Sequence, residues 1–149
     1  MTNTEDTHQT LPLERARWTL AKLWFVGAGL VFLILVGQSI AGKYQDKTEL
    51  VWSWALPTVM PTLSLIVTVL GASALQKQLD VIAVRRSFYT LSLWLSVIYL
   101  ALILLTLGLE PFSTLESLEL LNLSNLWLAP FQGLVISALG VLFFTQSKK

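Results

Sequence analysis

Cysteine is missing from this chain altogether, which excludes disulfides, thiol chemistry and iron–sulfur ligation and leaves the redox compartment open. Histidine is nearly missing too. The single His8 sits in a polar N-terminal stretch, so neither a haem held by paired imidazoles nor a histidine-rich metal site can be built. Charge is scarce: Asp, Glu, Lys and Arg are 13% of 149 residues and nearly cancel, at net +1. Soluble domains carry roughly a quarter of their residues as charges, and a chain with no basic field has no electrostatic footprint for nucleic acid. What is abundant is apolar, 54% of the residues with a mean hydropathy of +0.67. The class implied is a multispan membrane protein.

The uncharged runs divide the chain. Leu23–Gly42 gives 20 residues between Lys22 and Lys43, Ser87–Leu109 gives 23 between Arg86 and Glu110, and no charge falls between Glu49 and Lys77. At 1.5 Å per residue each crosses a hydrocarbon core of about 30 Å. A fourth run, Leu126 to Phe144, precedes Lys148 and Lys149. The pattern predicts an all-α four-helix transmembrane bundle with spans at about 20–42, 52–76, 87–109 and 126–145. Residues 12–149 form one domain behind a polar tail over 1–11, too poor in apolar surface to order itself. A signal peptide ending near Ser39-Ile40-Ala41 is disfavoured, since the apolar run is longer than a signal h-region and starts too far from the terminus.

Connectors carry their own signals. Lys43–Glu49 is short, which makes the spans beside it antiparallel neighbours. After the turn at Glu110-Pro111, Ser113 and Glu116 have the S-x-x-E spacing of a capping box, and Leu115, Leu118 and Leu121 share a side that Glu116 and Glu119 avoid. That predicts a short amphipathic interfacial helix from Ser113 to about Asn125, between helices 3 and 4. Between Gly71 and Gly108 there is no glycine or proline, which predicts that spans two and three extend as helices and turn sharply near Gln78 to Asp80. Arg15, Arg17, Lys22, Lys77, Arg85, Arg86, Lys148 and Lys149 fall on one side, against Lys43 and Lys47 on the other. Both termini are therefore assigned to the inside of a plasma (cytoplasmic or inner) membrane. Trp18, Trp52, Trp54, Tyr44, Phe88 and Tyr89 suit the aromatic belts.

Apart from Lys22 at the edge of the first, no Asp, Glu, Lys, Arg or His lies inside any span. Proton relays, voltage sensors and ion-coupled transport rely on such groups, and acid–base or nucleophilic catalysis needs one. The chain is thus read as non-enzymatic, with no catalytic residue, metal or cofactor. Polar residues do recur at helical steps. Pro57, Pro61, Ser64, Thr68 and Gly71 share one face of span two, and Tyr89, Ser92, Ser96, Tyr99 and Thr106, interrupted by Ile103, share one face of span three. The matched stripes predict two faces that meet, either as a helix-packing seam or, for span two, as the lining of a path in a ring of subunits. Gly133, Ser137 and Gly140 form a small-residue packing seam in span four, and Gly37 with Ala41 a weaker one in span one. W-x-x-P recurs at Trp54–Pro57 and Trp127–Pro130, and Ser64 and Ser137 coincide at the same offset, the form of a parallel repeat, although the remaining aligned positions agree only in being apolar.

The inner elbow, with Leu79, Val81, Ile82 and Val84 beside Arg85 and Arg86, is more apolar than a solvated loop requires. Leu79, Ile82, Arg85 and Arg86 are candidates for docking a cytoplasmic protein partner; sinking into the lipid headgroups accounts for the same residues. The partners implied are the lipid bilayer, further copies of the chain in a homo-oligomer and a possible cytoplasmic protein. The function this favours is self-assembly that forms or gates a passive pore or perturbs the membrane. The alternatives are a membrane anchor or accessory subunit that recruits a cytoplasmic sensor or enzyme, and a small facilitator of an uncharged or lipid-like substrate.

Overall fold

Each uncharged run becomes one long helix in the computed structural model, which describes residues 10–75, 83–112 and 116–144. Strand β1 (Thr10–Pro12) leads into α1 (Leu13–Ile40), then come α2 (Thr48–Leu75), strand β2 (Ala83–Arg85), α3 (Arg86–Leu109) and α4 (Ser117–Phe144). Among the described residues, four helices are long and apolar enough to cross a membrane, as expected of an integral membrane protein with an all-α bundle. In lipid, a helix is the spanning element that satisfies its own backbone hydrogen bonds.

Packing runs α1–α3–α4–α2 around the bundle, with a slighter α1–α2 contact closing the ring. Helices α2 and α3 therefore face each other across it. The core they enclose is filled by fully buried Trp24, Tyr99, Phe143, Leu20, Leu35 and Ile66. Gly27 lets α1 lie close against α3: a methyl group placed there would come within 2.7 Å of Leu100 Cδ1. A methyl group added at Gly37, Gly133 or Gly140 would meet no neighbouring element within 4 Å, so among the described residues of one chain these are not the positions where small size permits contact.

Two expectations about the connectors are corrected. Residues 83–85 are extended and pair antiparallel with β1, in the register Thr10↔Arg85, Leu11↔Val84 and Pro12↔Ala83, so α3 does not continue helically before Arg86. The residue before a proline favours extended backbone, as Leu11 does before Pro12, and β-branched Val84 suits a strand. Their pairing also takes Thr10 and Leu11 out of the tail. At the opposite end of the bundle, Ser117–Asn125 is not a separate interfacial helix but the opening of α4. Leu121 and Ser124 are buried, and the indole N–H of Trp54 donates to Ser124 Oγ at 3.1 Å, which binds this segment to α2.

The end far from the termini is clasped by charges and aromatics. Lys43 pairs with buried Glu110, and Lys47 with Glu116. Tyr44 donates to Gln38 Oε1, the indole N–H of Trp52 reaches Ser39 Oγ at 3.2 Å, and Phe32 stacks on Trp52 with centroids 5.9 Å apart. Burial, reinforced by the nearby Glu110 carboxylate, pushes the Tyr44 phenol from 10.0 up to about 12. A raised pKa means that the unfolded chain loses its proton first, so stability present below pH 10 falls away between about 10 and 12. Alkaline titration followed by phenolate absorbance should show one tyrosine ionising near 12, and Y44F should flatten the stability loss in that window. Ionisation of Tyr44 near pH 10 would contradict this.

Candidate functional site

Pro61 has no N–H, so the carbonyl of Pro57, four residues earlier, loses its helical donor. In the middle of a bilayer an unpaired carbonyl costs several kcal/mol. The vacancy is filled from α4: Gln132 Nε2 donates to the Pro57 carbonyl at 2.8 Å and to that of Thr58 at 3.1 Å. From α3, the Tyr99 hydroxyl donates to the same Thr58 carbonyl at 2.9 Å. The Thr58 hydroxyl itself turns back to the carbonyl of Trp54 at 2.7 Å. Helices α2, α3 and α4 are thus joined by side-chain donors at a turn that two prolines have loosened.

Helix α1 reaches this layer through Trp24, whose ring lies 5.9 Å from that of Tyr99 at an interplanar angle of 34°. Two buried polar atoms have no partner among the described residues, the Trp24 indole Nε1 and the Thr62 hydroxyl. Both residues are fully buried. Every helix therefore contributes to a polar layer near mid-bundle, through Trp24, Thr58 with Thr62, Tyr99 and Gln132. None of these groups is charged, and the layer joins the helices through hydrogen bonds and ring contact.

The polar stripes predicted from sequence part company. In α3, Ser92, Ser96, Tyr99 and Thr106 are buried, with Ser92, Ser96 and Thr106 bonding the carbonyls of Phe88, Ser92 and Leu102 at 3.0, 2.8 and 2.8 Å. In α2, Pro57, Pro61, Ser64, Thr68 and Gly71 are all exposed. The expectation that the two stripes meet is corrected: α2 turns Trp54, Ala55, Thr58, Val59, Thr62 and Ile66 inward instead. Burying that bulkier face gains more contact, which leaves the prolines and small residues outside. Gly133 and Ser137 are also exposed and Gly140 half-buried, so that seam does not pack inside one chain.

Of the docking candidates, Arg85 and Arg86 are exposed on either side of the β2–α3 junction. Leu79 and Ile82 lie outside the described residues, as do His8, Val81, Ser113, Leu115, Lys148 and Lys149. Sequence reading passed over Trp24, Thr58, Thr62 and Gln132. The signal for Gln132 was available in part: each in-helix proline orphans the carbonyl four residues earlier, and Gln132 is the one primary amide within the predicted fourth span. Which carbonyl it would reach needed the α2–α4 contact. Among the described residues, no group of three His, Cys, Asp or Glu side chains could hold a metal ion. No protein family, curated protein or solved structure matches the chain.

Proposed function

We propose that this protein acts by associating with copies of itself in the membrane, and that the assembly forms or gates a passive pore or perturbs the bilayer. The supporting observation is the outward face of α2. Pro57, Pro61, Ser64, Thr68 and Gly71 are exposed on a helix whose other side is packed. Unlike the backbone-bonded hydroxyls of α3, those of Ser64 and Thr68 make no hydrogen bond among the described residues. A hydroxylated, small-residue surface suits another helix or water better than acyl chains. The axis of a single bundle, by contrast, is filled by Trp24, Tyr99 and Phe143, so a conducting path belongs between subunits. On this reading the membrane is the plasma membrane, both termini are cytoplasmic by the positive-inside rule, and Ser117–Asn125 lies at the outer interface. Exposed Arg85 and Arg86 favour a second role, anchoring a cytoplasmic protein.

Leucine at both hydroxyl positions tests the first reading. The chain reconstituted in liposomes should assemble and leak a small polar dye, and S64L/T68L should abolish most of the leak while its helix content stays unchanged. Single-molecule photobleaching in native-lipid nanodiscs gives the subunit count. A wild-type chain that is monomeric there, or a leucine variant that leaks as before, overturns self-assembly through this face.

A further inference from the structure

We propose that a phospholipid with a net negative headgroup binds in the groove between the start of α3 and the end of α4. The groove encloses about 490 Å³, within the roughly 300–1,000 Å³ typical of small-molecule sites. Its walls are Phe88 and Leu91 from α3 and Val141 and Leu142 from α4, and its mouth carries Arg85 and Ser87. Leu91 and Val141 are more than half exposed, so the apolar walls open sideways toward hydrocarbon, as an acyl chain requires.

The polar end of the groove is basic. Arg85 lines it and the next residue, Arg86, is also exposed; no acidic side chain among the described residues forms an ion pair with either. Arg17 adds a third positive charge nearby, since its guanidinium donates to the carbonyls of Leu142 and Phe143 at 3.2 and 2.5 Å. These residues mark the junction where α3 begins and α4 ends, the depth at which a lipid changes from headgroup to chain. Guanidinium groups pair with phosphate oxygens through two parallel N–H bonds, and basic pockets between membrane helices are sites for anionic headgroups. A zwitterionic lipid carries its own cation into that cluster and is disfavoured. A soluble acidic peptide would use the arginines but has no need of a hydrocarbon-facing slot walled by Leu91 and Val141. Lipid binding requires only one bundle and so stands apart from self-assembly through α2.

Native mass spectrometry of the full chain in detergent, titrated with phosphatidylglycerol or phosphatidylcholine, tests the proposal. Phosphatidylglycerol should stay bound at one per chain and phosphatidylcholine should not. R85Q/R86Q should weaken phosphatidylglycerol roughly 25-fold, the effect of losing two cations at a membrane surface, while R85K/R86K, which keeps the charge but loses the paired N–H bonds, should weaken it less than R85Q/R86Q does. L91W fills the slot and should abolish retention with both arginines present. Equal binding of the two lipids, or unchanged binding in R85Q/R86Q, overturns the proposal. Unchanged binding in L91W overturns it too, because the arginines would then be holding a headgroup or an acidic peptide without the groove. Circular dichroism and a single elution peak establish that each variant is folded before it is scored.

Discussion

Replacing Trp24 by alanine is expected to cost about 3 kcal/mol of bundle stability, whereas W24F should stay within about 1 kcal/mol of the parent. The indole is fully buried and stacks obliquely on Tyr99, so alanine leaves a void in the core between α1 and α3. Between membrane helices there is little hydrophobic driving force and cohesion comes from close packing, so the contacts of a lost aromatic ring are most of what W24A gives up. Phenylalanine restores most of the volume and removes an N–H that has no partner among the described residues. A buried unpaired donor costs about 1–3 kcal/mol, so losing it offsets the smaller ring. Unfolding by titration with a denaturing detergent, followed by circular dichroism, measures both variants. If W24F were as damaging as W24A, the indole N–H would have to be making a bond that matters.

The second large effect is expected at Gln132, where Q132L should lower stability by about 1–2 kcal/mol in the wild-type chain and by less than half as much in a P61A background. Leucine preserves the bulk of the side chain but withdraws the donor from the Pro57 and Thr58 carbonyls. Thr58 keeps its bond from Tyr99, so the damage falls on Pro57. An alanine at position 61 has the N–H that proline lacks and returns a helical donor to the Pro57 carbonyl, leaving the amide of Gln132 with little to do. The coupling between the two positions is the diagnostic quantity, because a purely steric role for Gln132 would cost the same in both backgrounds. Equal costs would show that the proline does not create the need for the amide. The same cycle bears on function: if α2 bends at this turn when a pore opens, Q132L should change leak rate in liposomes while the subunit count stays constant.

Much of the architecture was legible in the chain. The lengths of the uncharged runs gave the number of helices, and the observed α3, Arg86–Leu109, falls within one residue of its expected span. The other helices are longer than their apolar runs. α1 begins at Leu13 and includes Arg15, Arg17 and Lys22, and α2 begins at Thr48. Charge limits where lipid can be, but it does not end a helix. For the same reason the leucines of Ser117–Asn125 could not reveal that this segment is helically continuous with the rest of α4 and tied to α2 through Ser124, which receives the Trp54 indole N–H. The β1–β2 pair was invisible because neither three-residue strand has any meaning without the other.

Periodicity along one helix establishes which residues share a face, and hydropathy establishes that the helix can lie in lipid. Both are sums over neighbours in sequence, so composition and spacing alone determined a bundle of helices with long uncharged runs and with Pro57, Pro61, Ser64, Thr68 and Gly71 on a common side of the second. The direction in which that side turns depends on which face of α2 fills the space left by three other helices, and that is a property of the packed bundle. Tertiary structure therefore turned the α2 stripe outward, kept the α3 stripe inside, brought Gln132 to a carbonyl 75 positions away and set Arg85 at the mouth of a groove walled by Leu142.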